Sequence, residues 1–354
     1  MTIESAALTI TYRALVMTAD HRMSLEERNG DLPAPGAVTI EVIATGICGS
    51  DIHGLAGDTG RRETGQVMGH ETVGRVVGIG DGVDRDLLGR VVTVNPVFGC
   101  GECAACEAGQ PQKCATGWVL GVRPDVDGAF AERLTVPAGN VVELPKGMEP
   151  WHGALAEPLS VGYHAVLRGA PQPDDRVLII GGGPIGQAAA LAARRVGVAA
   201  VLVSEPDTRR TEIVRSLGFS TVAPDQLPTA VERDLGGPAT LVIDAVGTSR
   251  TIGTALDVSS TDARIVLVGM GSPQLEFSAY QVSAGERSLI GAFCYSVQDF
   301  TSTVEWLARH PESAVAIVDR VAPLAEGAAV FDELLSGSLS NKVLLAPRPE
   351  EVGL

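Results

Sequence analysis

The chain has 354 residues and a formal net charge of −16, with 45% hydrophobic and 20% charged residues. That length exceeds what one hydrophobic core usually organises, so two domains are expected. The acidic balance argues against nucleic acid or an anionic membrane as partner, since both call for a basic surface. The opening MTIESAALTITYR has no signal-peptide pattern and no long apolar run is free of charges, which points to a cytoplasmic protein.

In chain order, Thr9 to Met17 and Ala37 to Thr45 read as strands, with the Pro/Gly-rich stretch Leu32 to Gly36 between them. Val67 to Val94 is rich in Val and Gly and suggests a compact, mostly antiparallel β-domain. Cys100 to Cys114 has almost no β-branched residues and cannot be a core strand. Phe130 to Val136 and Asn140 to Leu144 read as further strands. Beyond Trp151 the pattern alternates. A helix over Leu159 to Arg168 precedes the buried strand Val177 to Ile180, the helix Gly186 to Val196, the strand Val201 to Ser204 and the helix Asp207 to Leu217. Strands follow at 240–246, 264–269 and 288–293, then helices at 300–309 and 325–336 and a closing strand at 342–345. Buried apolar runs alternating with helices predict a parallel sheet covered on both faces.

Two motifs carry strong chemistry. Cys100, Cys103, Cys106 and Cys114 are spaced to wrap one Zn²⁺ tetrahedrally, and Gly99 and Gly101 give the loop its turns. With every position filled by protein, such a zinc is structural. Gly181, Gly183, Pro184, Ile185 and Gly186 form a glycine-rich turn between a strand and a helix, the context in which it binds a dinucleotide pyrophosphate. Glu205, at the end of the next strand, is placed for the adenosine ribose and favours NAD over NADP. Arg209 and Arg210 lie close enough in sequence to serve an NADP phosphate instead.

A third constellation is mixed. Cys48, His70 and Glu71 offer sulfur, nitrogen and oxygen, a set that suits a zinc with an open position. Alone, the pattern is also that of a buried cysteine in a core. Glu157-Pro158 is either a helix N-terminal charge or a fourth group at that metal. There is no phosphate-loop lysine and no G-x-S-x-G elbow.

Assembled, GICGSDIHG (46–54), GHE (69–71), the four-Cys stretch, AEPLSVGYHA (156–165) and GGGPIG (181–186) make the whole chain resemble the zinc-dependent medium-chain dehydrogenases/reductases, the alcohol and polyol dehydrogenase family. The resemblance implies an α/β protein: a GroES-like catalytic domain from 1–160 and 300–354, with its zinc lobe at about 99–115, and a Rossmann domain from 161–299. It implies catalytic zinc at Cys48, His70, Glu71 and Glu157, one glutamate binding directly and the other through water. Ser50 and His53 become a proton relay, and Asp51 the carboxylate that orients His70. The nicotinamide is expected near Gly247, Val268 and Met270. Trp118, Phe130 and Tyr295 are candidate pocket walls. The implied reaction is reversible hydride transfer between NAD and a secondary alcohol, vicinal diol, polyol or sugar hydroxyl, in a homodimer or homotetramer. An NADPH-dependent ketone or ketosugar reductase of the same family is the alternative, and a non-enzymatic binding protein on the same fold is the third reading.

Overall fold

The computed structural model describes residues 10–57, 60–337 and 341–352. Two compact units emerge. One runs to Glu157 and takes in Phe300–Ala314 and the chain from Val318 onward, and the other is Pro158–Asp299 with Val315–Ile317.

The first unit opens with a hairpin of β1 (Ile10–Met17) and β2 (Met23–Gly30). Thr9, the first residue of the expected strand, lies outside the described residues. MSLEERNG in β2 has no strand periodicity, and pairing with β1 along its full length holds it extended. β3 (Ala37–Gly46) runs into helix α1 (Gly49–Leu55), followed by β4 (Glu71–Ile79) and β5 (Val91–Val94). The short strands β6 (Val97–Phe98) and β7 (Trp118–Val119) bracket a lobe containing α2 (Ala104–Glu107). β8 (Arg133–Pro137) and β9 (Val141–Glu143) complete this stretch.

Helix α3 (Ala156–Arg168) then leads into the alternating region: β10 (Arg176–Ile180), α4 (Pro184–Arg195), β11 (Ala200–Ser204), α5 (Thr208–Ser216), β12 (Ser220–Val222), α6 (Leu227–Ala230), β13 (Ala239–Asp244), α7 (Ser249–Val258), β14 (Ser259–Leu267), α8 (Ala279–Ala284) and β15 (Ser288–Gly291). The chain closes with α9 (Val297–Arg309), α10 (Pro311–Ile317), β16 (Val318–Pro323), α11 (Gly327–Leu335) and β17 (Lys342–Ala346).

In the first unit the main sheet has the order β16-β17-β3-β4-β5-β9, with β8 also on β3. All pairs are antiparallel except β16 with β17. One apolar core gathers Leu15, Phe130, Phe331 and Leu345, and a second gathers Val38, Ile40, Val92 and Leu134. In the second unit six parallel strands run β12-β11-β10-β13-β14-β15, the doubly wound order with β10 central. Leu178, Leu202, Val242 and Ile265 from four of these strands pack with Ile252 and Leu256 of α7.

Several boundaries move for local reasons. The strand expected from Phe130 starts at Arg133, because Phe130 instead bonds by its backbone to Met68 and Leu15. The strand expected through Val246 ends at Asp244, whose carboxylate takes the N–H groups of Val246 and Gly247 at 2.9 Å and turns the chain. The expected pocket walls are packing residues. Phe130 and Tyr295 are 0% exposed, and Trp118 stacks on Phe98.

Candidate metal centres and dinucleotide turn

β3 delivers the chain to Cys48, which caps α1. Its extended backbone leaves the N–H free for the Asp51 carboxylate, Oδ2 accepting at 3.1 Å. Asp51 is wholly buried as a result. Ser50 and His53 lie on the exposed side of the same helix, three residues apart, and so share one face. On the other side of the site, Gly69 has φ +99° and turns the backbone so that His70 and Glu71 enter at the head of β4.

The Cys48 sulfur, a His70 ring nitrogen and a Glu71 oxygen all lie within 4.8 Å of one another. Glu157, 6% exposed in the first turn of α3, is not a member of that cluster, but its charge acts on both His70 and Lys342. Burial on its own lowers the pKa of His70. The negative charges of Asp51, Cys48 and Glu157 outweigh it and raise the imidazole from 6.5 to about 10. A pocket that holds a proton on its histidine this firmly is one that favours a cation. A sulfur, a ring nitrogen and a carboxylate oxygen within reach of one another are the donor set of a zinc site, so the residues fit zinc.

Lys342 is a buried residue at this cluster that sequence reading passed over. It is 2% exposed at the head of β17, and its Nζ donates to both Glu71 oxygens at 2.7 Å and to the Ile47 carbonyl at 3.0 Å. Burial lowers its pKa, but Glu71 and Cys48 more than offset this and raise it. Gly46 makes room, because a Cβ there would stand 2.1 Å from Glu71 Oε2. Glu71 is thus held by a lysine as well as being placed beside the metal ligands. One weak signal existed in the sequence: a lysine heading an otherwise apolar strand, in a chain with few lysines.

The second cluster is the lobe. The sulfurs of Cys100, Cys103, Cys106 and Cys114 lie within 4.8 Å of one another. Gly99 is obligatory, since a Cβ there would stand 2.3 Å from the Cys106 sulfur. The Thr116 hydroxyl and the Cys100 N–H lower the Cys114 thiol to about 6, so negative charge is ready for a cation in this lobe too.

In the second unit, Gly181 has φ +97° and starts the turn after β10. Gly183 caps α4 and Pro184 occupies its first position. A Cβ on Gly186 would fall 1.8 Å from the Gly181 carbonyl, so only glycine lets helix and turn close up. Beside Gly183 the nearest group is the Arg210 guanidinium, 3.8 Å from where a Cβ would be. Glu205 is 4% exposed. Its Oε2 accepts from Gly182 N at 2.6 Å and its Oε1 from Asp207 N at 2.8 Å, so it braces the turn, a role the sequence reading did not assign. Gly247, Val268 and Met270 follow the C-terminal ends of β13 and β14. All these residues gather where the strands on either side of the switch between β10 and β13 end, the place where doubly wound sheets bind ligands.

Comparison with known proteins agrees with this geometry. Residues 34–146 match the family described as alcohol dehydrogenase GroES-like domain, and residues 184–309 match the zinc-binding dehydrogenase family. The chain is 35% identical to the 2-dehydro-3-deoxy-L-galactonate 5-dehydrogenase of Pseudoalteromonas atlantica, over 90% of this chain and 94% of that one. The structure of the alcohol dehydrogenase RspB of E. coli CFT073, solved with NADH, superposes with a TM-score of 0.87 at 28% identity, covering 95% of this chain and 99% of the other. A zinc-binding dehydrogenase of Sinorhizobium meliloti 1021, solved with NADP, superposes with a TM-score of 0.86 at 26% identity, covering 96% and 100%. With its two ligand clusters and its glycine turn, the chain belongs to the zinc-binding dehydrogenases of the medium-chain dehydrogenase/reductase family, with a GroES-like domain and a Rossmann domain.

Proposed function

We propose that the protein oxidises a secondary hydroxyl of a polyol or sugar acid to a ketone, reversibly, with NAD as the partner. The observation that carries this is the Cys48–His70–Glu71 cluster, whose sulfur, nitrogen and oxygen donors lie within 4.8 Å of one another. The sugar-acid relative supports the substrate class. When bound, zinc supplies Lewis acidity toward the hydroxyl oxygen and the nicotinamide takes up hydride.

The chain's own residues do the rest. Cys48 and His70 would hold the metal, with Glu71 and Glu157 offering oxygen donors at the site. Asp51 fixes the imidazole from behind. Ser50 takes the proton of the hydroxyl as it gives up its own, which is relayed to His53, on the same exposed face of α1, and from there to water. Loss of that proton and of hydride leaves a ketone and NADH. The turn from Gly181 to Gly186 receives the pyrophosphate at the N-terminus of α4. The buried Glu205 carboxylate beside it repels a 2′-phosphate, which supports NAD. Arg210 beside Gly183 favours the alternative, an NADPH-dependent reductase.

We place the protein in the cytoplasm; among the described residues no helix is long and apolar enough to cross a membrane. We also propose a homodimer or homotetramer. Phe277, Tyr280 and Phe293 are exposed on the unit whose sheet ends at β15, and light scattering tests this. The activity is tested with a panel of polyols and sugar acids, read by NADH absorbance, on native protein and on Cys48→Ser. Turnover is expected only in the native protein, and turnover that survives in Cys48→Ser overturns the zinc mechanism. A kcat/KM preference for NADPH overturns the reading of Glu205.

A further inference from the structure

Arg62 sits between α1 and β4, in a stretch (RRETG) that reads as solvated loop. Its side chain is only 2% exposed. Nη1 donates to the Val122 carbonyl at 3.1 Å, and Nη2 faces Asp51 Oδ1 at 3.6 Å. The same Asp51 oxygen stands 3.6 Å from His70 Nδ1. Arg62 Nε, Arg62 Nη2, Asp51 Oδ1 and His70 Nδ1 are all buried, and none has a hydrogen-bond partner among the described residues. Three of these atoms, Arg62 Nη2, Asp51 Oδ1 and His70 Nδ1, therefore converge behind one metal ligand. The fold also makes room for the arginine: a Cβ on Gly54 in α1 would stand 2.7 Å from Arg62 Cγ.

We propose that Arg62 is a positioning residue of the metal centre, the outer member of a chain Arg62–Asp51–His70. The Asp51 carboxylate is 0% exposed and lies near the negative groups of the site. With only the Cys48 N–H to hold it, the carboxylate is free to swing. The guanidinium provides the countercharge and a planar fork that fixes its orientation. Asp51 then accepts from His70 Nδ1 and leaves Nε2 to the metal. A lysine at position 62 supplies charge without the fork, so charge alone is not sufficient.

The inference rests on Cys48 and His70 being metal ligands. The test uses the full-length zinc-loaded protein, with zinc per chain measured by elemental analysis along a chelator titration. The zinc of the four-Cys lobe is the internal standard for an intact fold. In Arg62→Met the catalytic zinc is expected to bind about 10–100-fold more weakly while the lobe zinc is unchanged. Arg62→Lys recovers only part of the loss. Asp51→Asn weakens binding similarly, and the Arg62→Met/Asp51→Asn double variant is no weaker than Asp51→Asn alone. Native affinity in Arg62→Met, full recovery in Arg62→Lys, or losses that add in the double variant overturn the proposal. If Arg62→Met does not fold, the Arg62→Lys result decides. If Cys48→Ser retains both zinc ions, the metal centre itself is misassigned, a failure distinct from that of Arg62.

Discussion

Lys342 and Glu71 are a buried ion pair 271 positions apart in sequence, with side chains 3% and 0% exposed. Removing one partner of such a pair strands the other's charge in a low-dielectric site. Lys342→Met is therefore expected to cost roughly 3–5 kcal/mol of stability, and Lys342→Met/Glu71→Gln distinctly less, measured by urea unfolding. His70 makes a prediction in pH. Its pKa of about 10 means that the metal-free protein holds a proton there at neutral pH. Zinc binding expels it, so the affinity of this site rises with pH and falls as the solution is acidified. Isothermal titration in buffers of different ionisation enthalpy counts the released proton, and no release would contradict the assignment. At this scale the sequence was legible where chemistry demands a residue type, as at Cys48, His70 and the four lobe cysteines. It was silent on Lys342, whose partner lies 271 positions away, and on Arg62, which reads as solvated loop although the fold buries its side chain.

Among the elements, α4 depends on one glycine. A Cβ on Gly186 would meet the Gly181 carbonyl at 1.8 Å, so Gly186→Ala is expected to push the helix from its turn at a cost of about 1–3 kcal/mol. NADH affinity, read by fluorescence, falls while zinc content stays native. Helices α3 and α9 are linked by His164 Nδ1 and Asp299 Oδ2 at 2.8 Å. Burial raises the Asp299 pKa, but hydrogen bonds from His164 and Ser296 outweigh it and hold it below the ordinary carboxylate value. A depressed carboxyl stabilises the fold above its unfolded pKa and loses that effect as pH falls through the folded one. Asp299→Asn is thus expected to lose about 1.5–3 kcal/mol at pH 7 and to converge with the native protein in acid, followed by denaturation across pH. The parallel sheet was legible because its strands are continuous apolar runs. β2 was not, because only its partner β1 makes MSLEERNG a strand.

For the molecule as a whole, the two zinc sites make unequal demands. Between Cys100 and Cys114 only Pro111 is buried, so no apolar core holds the lobe together. Stripping its metal with a chelator is expected to open residues 99–117 to proteases while circular dichroism shows both main sheets intact. If the lobe resists digestion without metal, the ion is not what holds it. The division into two units followed from length and from the change of pattern after Trp151. The return of the last segments to the first unit came only from the family resemblance, since β17 has no local reason to pair with β3 rather than extend the parallel sheet. That pairing sets Leu344 opposite Gly46 and Leu345 opposite Thr45, and brings Lys342 to Glu71. During synthesis, then, Glu71 leaves the ribosome 271 positions ahead of the lysine that completes its buried ion pair. A transcript broken anywhere upstream of codon 342 yields a product whose Glu71 has no lysine to meet.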